Sequence, residues 1–238
     1  MALILTAGPA VEPVALAEAK AYLRIDGTDE DALLGSLIVT SRLHVESVTS
    51  LALITQSWSY FIDTWPRGPS VKLPLRPVQS IAAVRIYDRN AVVTTLDPET
   101  YLLDGTTTPA RLVRQDGITW PHPRRVANSI EIAFTAGFGN AAADVPAPIR
   151  QAILLLIAHW YEHRSPFEVG VQAQPPPPTV TDLLAGGCAY EPAAPHRRLA
   201  GAPHPGRARA RRRWRRRCQH RLDADRHGVG RRAHARRR

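Results

Sequence analysis

"VPAPIRQAILLLIAHWYEHRSPF", residues 145–167, decides how the rest of the chain is read. Asp144 can cap a helix here, and Pro146 and Pro148 suit a first turn because their fixed φ and missing N–H cost nothing there. From 149 to 163 the run Ile149, Ile153, Leu154, Leu155, Leu156, Ile157, Trp160 and Tyr161 leaves little of the middle polar. A helix apolar nearly all round has to be covered on several sides. The stretch therefore predicts a helix over about 146–164. It is either a central core helix or one shared between core and subunit interface, with Ile149, Ile153, Leu156, Trp160 and Tyr161 as the residues carrying that face.

The end of the same helix spells H-x-x-E-H, with His159, Glu162 and His163. In inverted zinc peptidases this spacing puts two imidazoles one turn apart, with a carboxylate between them to activate water. A zinc hydrolase also needs a third protein ligand and an open coordination position. Downstream the candidates are Glu168, beyond a proline break, and Glu191, in an atypical tail, while His44 and His122 have no ligand-like spacing. The histidines read instead as a polar stripe beside a buried face. G-x-S-x-G, Walker A and Rossmann glycine patterns are absent, and "AGFGN" (136–140) reads as a glycine turn.

Upstream, "EPVALAEAKAYLRI" (12–25) predicts a helix over about 14–24, broken by "DGT". A second helix is expected over about 28–50, with Thr28 as N-cap and Asp29, Glu30 and Asp31 on the positive end of its dipole. From about 53 to 136 the hydrophobic period changes to two. "LITQSWSYFID", "SVKLPL", "SIAAVRIYD", "AVVTTL", "YLLDG", "ARLVRQDG" and "SIEIAFTAGFG" read as short antiparallel strands at sandwich or barrel spacing, punctuated by Asp-Gly and proline turns.

The formal charge of +10 is unevenly placed. Residues 1–184 carry 14 Lys and Arg against 18 Asp and Glu, a net of −4, while residues 185–238 carry 17 Arg against 3 acids, a net of +14. Any affinity for nucleic acid from charge belongs to the tail. The two cysteines, Cys188 and Cys218, make neither a disulfide framework nor a zinc ribbon. "MALILTAGPA" lacks a basic n-region and no apolar run approaches a membrane span, so a soluble protein made in the bacterial cytoplasm is expected.

Beyond Pro166, "QAQPPPPTV" (172–180) predicts an extended polyproline spacer and "TVTDLL" (179–184) a short amphipathic end. The last 54 residues contain no Ser, Thr, Asn, Ile, Phe, Lys or Met. That mixture is what GC-rich DNA yields out of frame, so 185–238 is expected to be a disordered Arg-rich extension. The functional alternative is a basic nucleic-acid-binding arm.

"PVALAEAKAYLRIDGTDEDALLGSLIVTSRLHVESVT", "ALITQSW", "LPLRPVQSIAAVRIYD", "WPHP", "IEIAFTAGFGN" and "VPAPIRQAILLLIAHWYEHR" follow one another in an order that resembles the tailed-phage head-tail connector (adaptor) family. That family is also found in prophages and gene transfer agents. The resemblance spans about residues 10–184 and implies a virion structural protein without catalytic residues, metal or cofactor. It implies a homo-oligomeric ring, usually of twelve subunits, beneath the portal of a phage-like particle. Such a ring continues the DNA channel without sequence-specific binding and meets the next neck protein, the stopper. It further implies that residues 169–184 form an extended portal-docking tail with Val180, Leu183 and Leu184 as anchors. The expected fold class is α+β: an N-terminal helical hairpin, a central antiparallel β region, a long C-terminal core helix and an extended tail. Residues 1–168 are expected to form one adaptor domain.

Overall fold

A computed structural model describes residues 1–90, 92–163 and 177–187. Residues 169–176 of the expected docking tail and the part of the Arg-rich extension from 188 onward lie outside the described residues. The chain divides into two compact units, where the sequence reading draws one domain over 1–168. Residues 1–11 and 50–144 form one unit, and residues 12–49 with the segment from Val145 onward form the other. The fold is α+β, as expected.

The first unit contains β1 (Ala2–Ala7), β2 (Gln56–Ile62), β3 (Ser70–Lys72), β4 (Val78–Tyr87), β5 (Val93–Thr95), β6 (Tyr101–Asp104), β7 (Arg111–Arg114) and β8 (Ile130–Ala136). A five-stranded sheet runs β1-β2-β8-β4-β5 and a three-stranded sheet runs β3-β7-β6, with every strand pair antiparallel. The alternation seen in the sequence sets the register. Trp58, Tyr60 and Ile62 stand opposite Phe134, Ile132 and Ile130, and Val84 and Ile86 flank Ile132 and Ile130 from the other side. Ile62, Val84, Ile130, Ile132 and Phe134 join Val71, Leu73, Tyr101 and Leu112 of the small sheet and its approaches in one buried cluster, with Trp58 and Tyr60 partly buried against it. Strand β1 is absent from the sequence reading. Its ALILTA run has no strict alternation, and it is a strand because β2 offers it a partner, with Leu3 opposite Tyr60.

The glycine turn after β8 is a close backbone packing site. Gly137 has φ of 146°, and a Cβ there would lie 2.5 Å from the Thr55 nitrogen. Its N–H donates to Pro77 O at 2.9 Å and the next N–H, of Phe138, donates to Leu53 O at 3.2 Å. Asp144, expected to cap the following helix, instead accepts the Ala141 N–H at 2.9 Å in its own short 3-10 turn.

The second unit contains α1 (Leu16–Leu23), α2 (Asp31–Thr49), α3 (Ala147–Glu162) and α4 (Pro178–Gly187). Helix α1 ends where Arg24 takes a left-handed conformation and the N–H groups of Arg24 and Ile25 reach back to the carbonyls of Ala21 and Lys20. Helix α2 begins at Asp31, two residues later than a Thr28 cap implies. Thr28 contributes its backbone carbonyl, which accepts the Asp31 N–H at 3.1 Å. Helix α3 starts at Pro146 and Pro148 as the sequence predicts.

Helix α4 corrects the sequence reading, which makes 169–184 extended throughout. Pro178 occupies the first turn, where its ring is tolerated, and Val180 and Leu184 fall one turn apart on the same face. Both are buried and α4 packs on α3. Two large apolar side chains covered by a neighbouring helix favour a helix over a solvated strand.

Candidate functional site

Helix α3 is the axis of the helical unit. Ile149, Ile153 and Leu156 are fully buried within the chain itself. Of the two roles open to them from sequence, the structure gives them that of core. Trp160 and Tyr161 are half-buried and engage α2 and its approach. The Trp160 ring meets His44 edge-on at 5.6 Å, and the Tyr161 hydroxyl donates to the Glu30 carboxylate. The signal for Glu30 was only its place among helix-start acids, and nothing in the sequence points to its tyrosine.

The H-x-x-E-H residues are brought together only in part. The His159 and His163 rings lie 4.6 Å apart. The Nδ1 of His163 is 2.8 Å from the His159 carbonyl oxygen, so this nitrogen donates and is turned to the helix backbone rather than outward. Glu162 points to solvent. Among the described residues no group of three His, Cys, Asp or Glu side chains is placed to hold a metal ion. The arrangement is a helix end in which the His163 imidazole satisfies a terminal carbonyl and packs against the His159 ring.

The three anchors assigned to the tail divide. Val180 and Leu184 are buried and Leu183 is half-exposed. In this conformation two of them are occupied by α3.

The charges of α1 and α2 are arranged inward. Arg150 of α3 places Nη2 at 2.7 and 2.8 Å from the two oxygens of Glu18. Lys20 reaches Asp31 at 2.7 Å. Arg42 donates to Glu12 and to Glu46, each at 2.8 Å. The helix periodicity shows where these residues lie along each helix, but the partners are 11, 30 and 132 positions apart, beyond any sequence pattern.

In the β unit the densest polar cluster surrounds Glu131. It sits between Ile130 and Ile132 on the middle strand β8, so alternation turns it to the face away from the apolar cluster. It accepts the Ser59 hydroxyl at 2.6 Å and the Tyr87 hydroxyl at 2.5 Å, with Arg85 Nη1 at 3.3 Å. Burial by itself would push the carboxyl up. The bonds from Ser59, Tyr87 and Arg85 outweigh it and hold the carboxyl below its ordinary range. The bond to Glu131, with burial, pushes the Tyr87 phenol up. Trp120 of "WPHP" stacks on Trp65 at 4.1 Å, and Trp65 Nε1 donates to Pro121 O at 2.9 Å.

No family model matches the chain, and no curated protein matches it. Among solved structures it is similar to a chain in the neck of an empty gene transfer agent particle computed with C6 symmetry, with TM-score 0.67 and 26% identity. It is also similar to a chain in the virion of a native gene transfer agent particle and to one in the neck of a native particle computed with C12 symmetry, each with TM-score 0.66 and 27% identity. Each similarity covers 85% of this chain and 100% of the other. The resemblance read from the sequence is thus upheld in fold and at recognisable identity: the similar chains belong to gene-transfer-agent particles, two of them to structures of the neck. No helix among the described residues is long and apolar enough to cross a membrane.

Proposed function

We propose that this chain is a structural head-tail connector, a ring subunit in the neck of a phage-like or gene-transfer-agent particle. The observation that carries this reading is the similarity to chains in two structures of a gene-transfer-agent neck, which covers 85% of this chain and 100% of each of them. On this reading copies of the chain form a closed ring under the portal, with twelve subunits matching the C12 neck. The ring extends the DNA channel and links to the next neck protein. One physical feature supports it. The body carries a net of −4 over residues 1–184, and a lumen without excess cation does not grip passing phosphates.

The portal contact remains assigned to the segment ending at Leu184, now as a helix rather than a strand-like tether. With Val180 and Leu184 turned into the chain, Leu183 is the anchor left partly free in this state.

The test is particle production from a strain lacking this chain. Loss should leave DNA-filled heads without necks or tails, and restored protein should appear as a ring at the neck in electron micrographs. Normal necks in its absence would refute the assignment.

A further inference from the structure

We propose that the outward face of α2, formed by Ala32, Ser36, Val39, Leu43 and Ser47, is covered in the particle by a second copy of this chain. This rests on the ring reading above and assigns one of the two unlike faces that a closed ring requires, since each subunit must present different surfaces to its two neighbours.

Three observations carry it. The first is where the charges go. The charged side chains of α1 and α2 are Glu18, Lys20, Asp31, Arg42 and Glu46, and all five are engaged in ion pairs within the helical unit. A helix meant to face water usually shows the reverse, with charge outward and an apolar stripe inward. The second is what remains outside. Positions 32, 36, 39, 43 and 47 lie on one face of the helix at spacings of three and four, and none is charged. Leu43 is 52% exposed and Val39 37%. The third is the state of the hydroxyls there. Ser36 donates to Leu33 O at 2.7 Å, neighbouring Thr40 to Ser36 O at 2.8 Å, and Ser47 to His44 O at 3.0 Å. Covering this face with a neighbour therefore strands no donor, which removes the usual desolvation penalty.

The occupant follows from the same chemistry. A DNA backbone would call for Lys or Arg on the face, and there is none. A lipid surface would call for a broad apolar face with a basic rim. A protein surface of matching apolar and small residues fits, and the similar chains come from necks computed with C6 and C12 symmetry, in which each chain has symmetry-related copies. The small side chains Ala32, Ser36 and Ser47 let a neighbouring element approach closely.

The experiment follows Leu43→Glu and Val39→Lys in particles, beside the wild type. Both positions are exposed, so both variants should match the wild type in circular dichroism and melting temperature. Both should nevertheless be lost from the neck. As an independent readout, Leu43→Cys in a chain also carrying Cys188→Ser and Cys218→Ser should react with maleimide when free and be protected in both empty and DNA-filled particles. Wild-type chain missing from the neck overturns the connector reading itself. Wild-type and both variants equally present in the neck overturns only the α2 contact. Cysteine protection in filled but not in empty particles also overturns it, because DNA and not a neighbouring copy would then cover the face.

Discussion

Arg42, in the middle of α2, and Glu12, ahead of α1, meet at 2.8 Å although 30 residues separate them. The Arg42 side chain is 8% exposed, and its other arm holds Glu46 one turn along α2 at 2.8 Å. One guanidinium thus closes the segment before α1 onto α2, and its fork geometry suits two carboxylates at once.

Arg42→Ala should therefore destabilise the protein by about 3 kcal/mol, because it removes a largely buried guanidinium that holds both Glu12 and the largely buried Glu46 carboxylate. Arg42→Met, which keeps the stem, should recover only part of this. Urea unfolding of the two variants checks it, and a loss under about 0.5 kcal/mol for Arg42→Ala would show the pair to be a surface ornament.

Gly137→Ala should be among the most damaging single changes in the β unit. The added Cβ would sit 2.5 Å from Thr55 N and 2.6 Å from the Ile54 carbonyl carbon, both backbone, and the residue's φ is 146°. The strain and the forced shift together should amount to about 2 kcal/mol or more. A melting temperature equal to the wild type's would mean that the β8 turn yields more easily than its backbone contacts suggest.

Acid should weaken the β unit through Glu131. Its carboxyl is held below the usual range when folded, so its contribution is present above the unfolded carboxyl range and lost as pH falls through the folded value. Asp104 behaves in the same sense, since Thr106 and Arg111 offset its burial and hold it down. Melting temperature should fall from pH 7 towards about pH 3, and the fall should be shallower in Glu131→Gln. Parallel curves for the two proteins would remove Glu131 from the account.

The C-terminal truncations test α4 against the extended-tail reading. Ending the chain after Gly187 keeps the described helix, and the protein should fold and melt like the full chain. Ending it after Phe167 removes Val180 and Leu184, both buried against the helical unit, and should lower stability by about 2–4 kcal/mol while exposing α3. An unchanged melting temperature after the Phe167 truncation would favour the tether and place those two residues on a partner.

The sequence by itself determined the elements whose signal is local. The nearly all-apolar run 149–161 could only be a covered helix, and the period-two stretches between 56 and 136 became strands at the places read from them. The order of those stretches also carried the resemblance to neck proteins, which the solved structures support. Tertiary structure decided whatever depended on a distant partner. ALILTA became β1 because β2 had an open edge, and 178–187 became α4 because α3 had an uncovered apolar side for Val180 and Leu184. His159 and His163 were visible as a spacing, but only the turn of His163 to a backbone carbonyl showed how they are used. The α2 stripe lay in the sequence as uncharged residues three and four apart, a pattern that a buried face shares. It became informative only once the charges of both helices were seen closing inward on Glu12, Asp31 and Arg150, since pairing at long range is set by how helices pack and not by their periodicity.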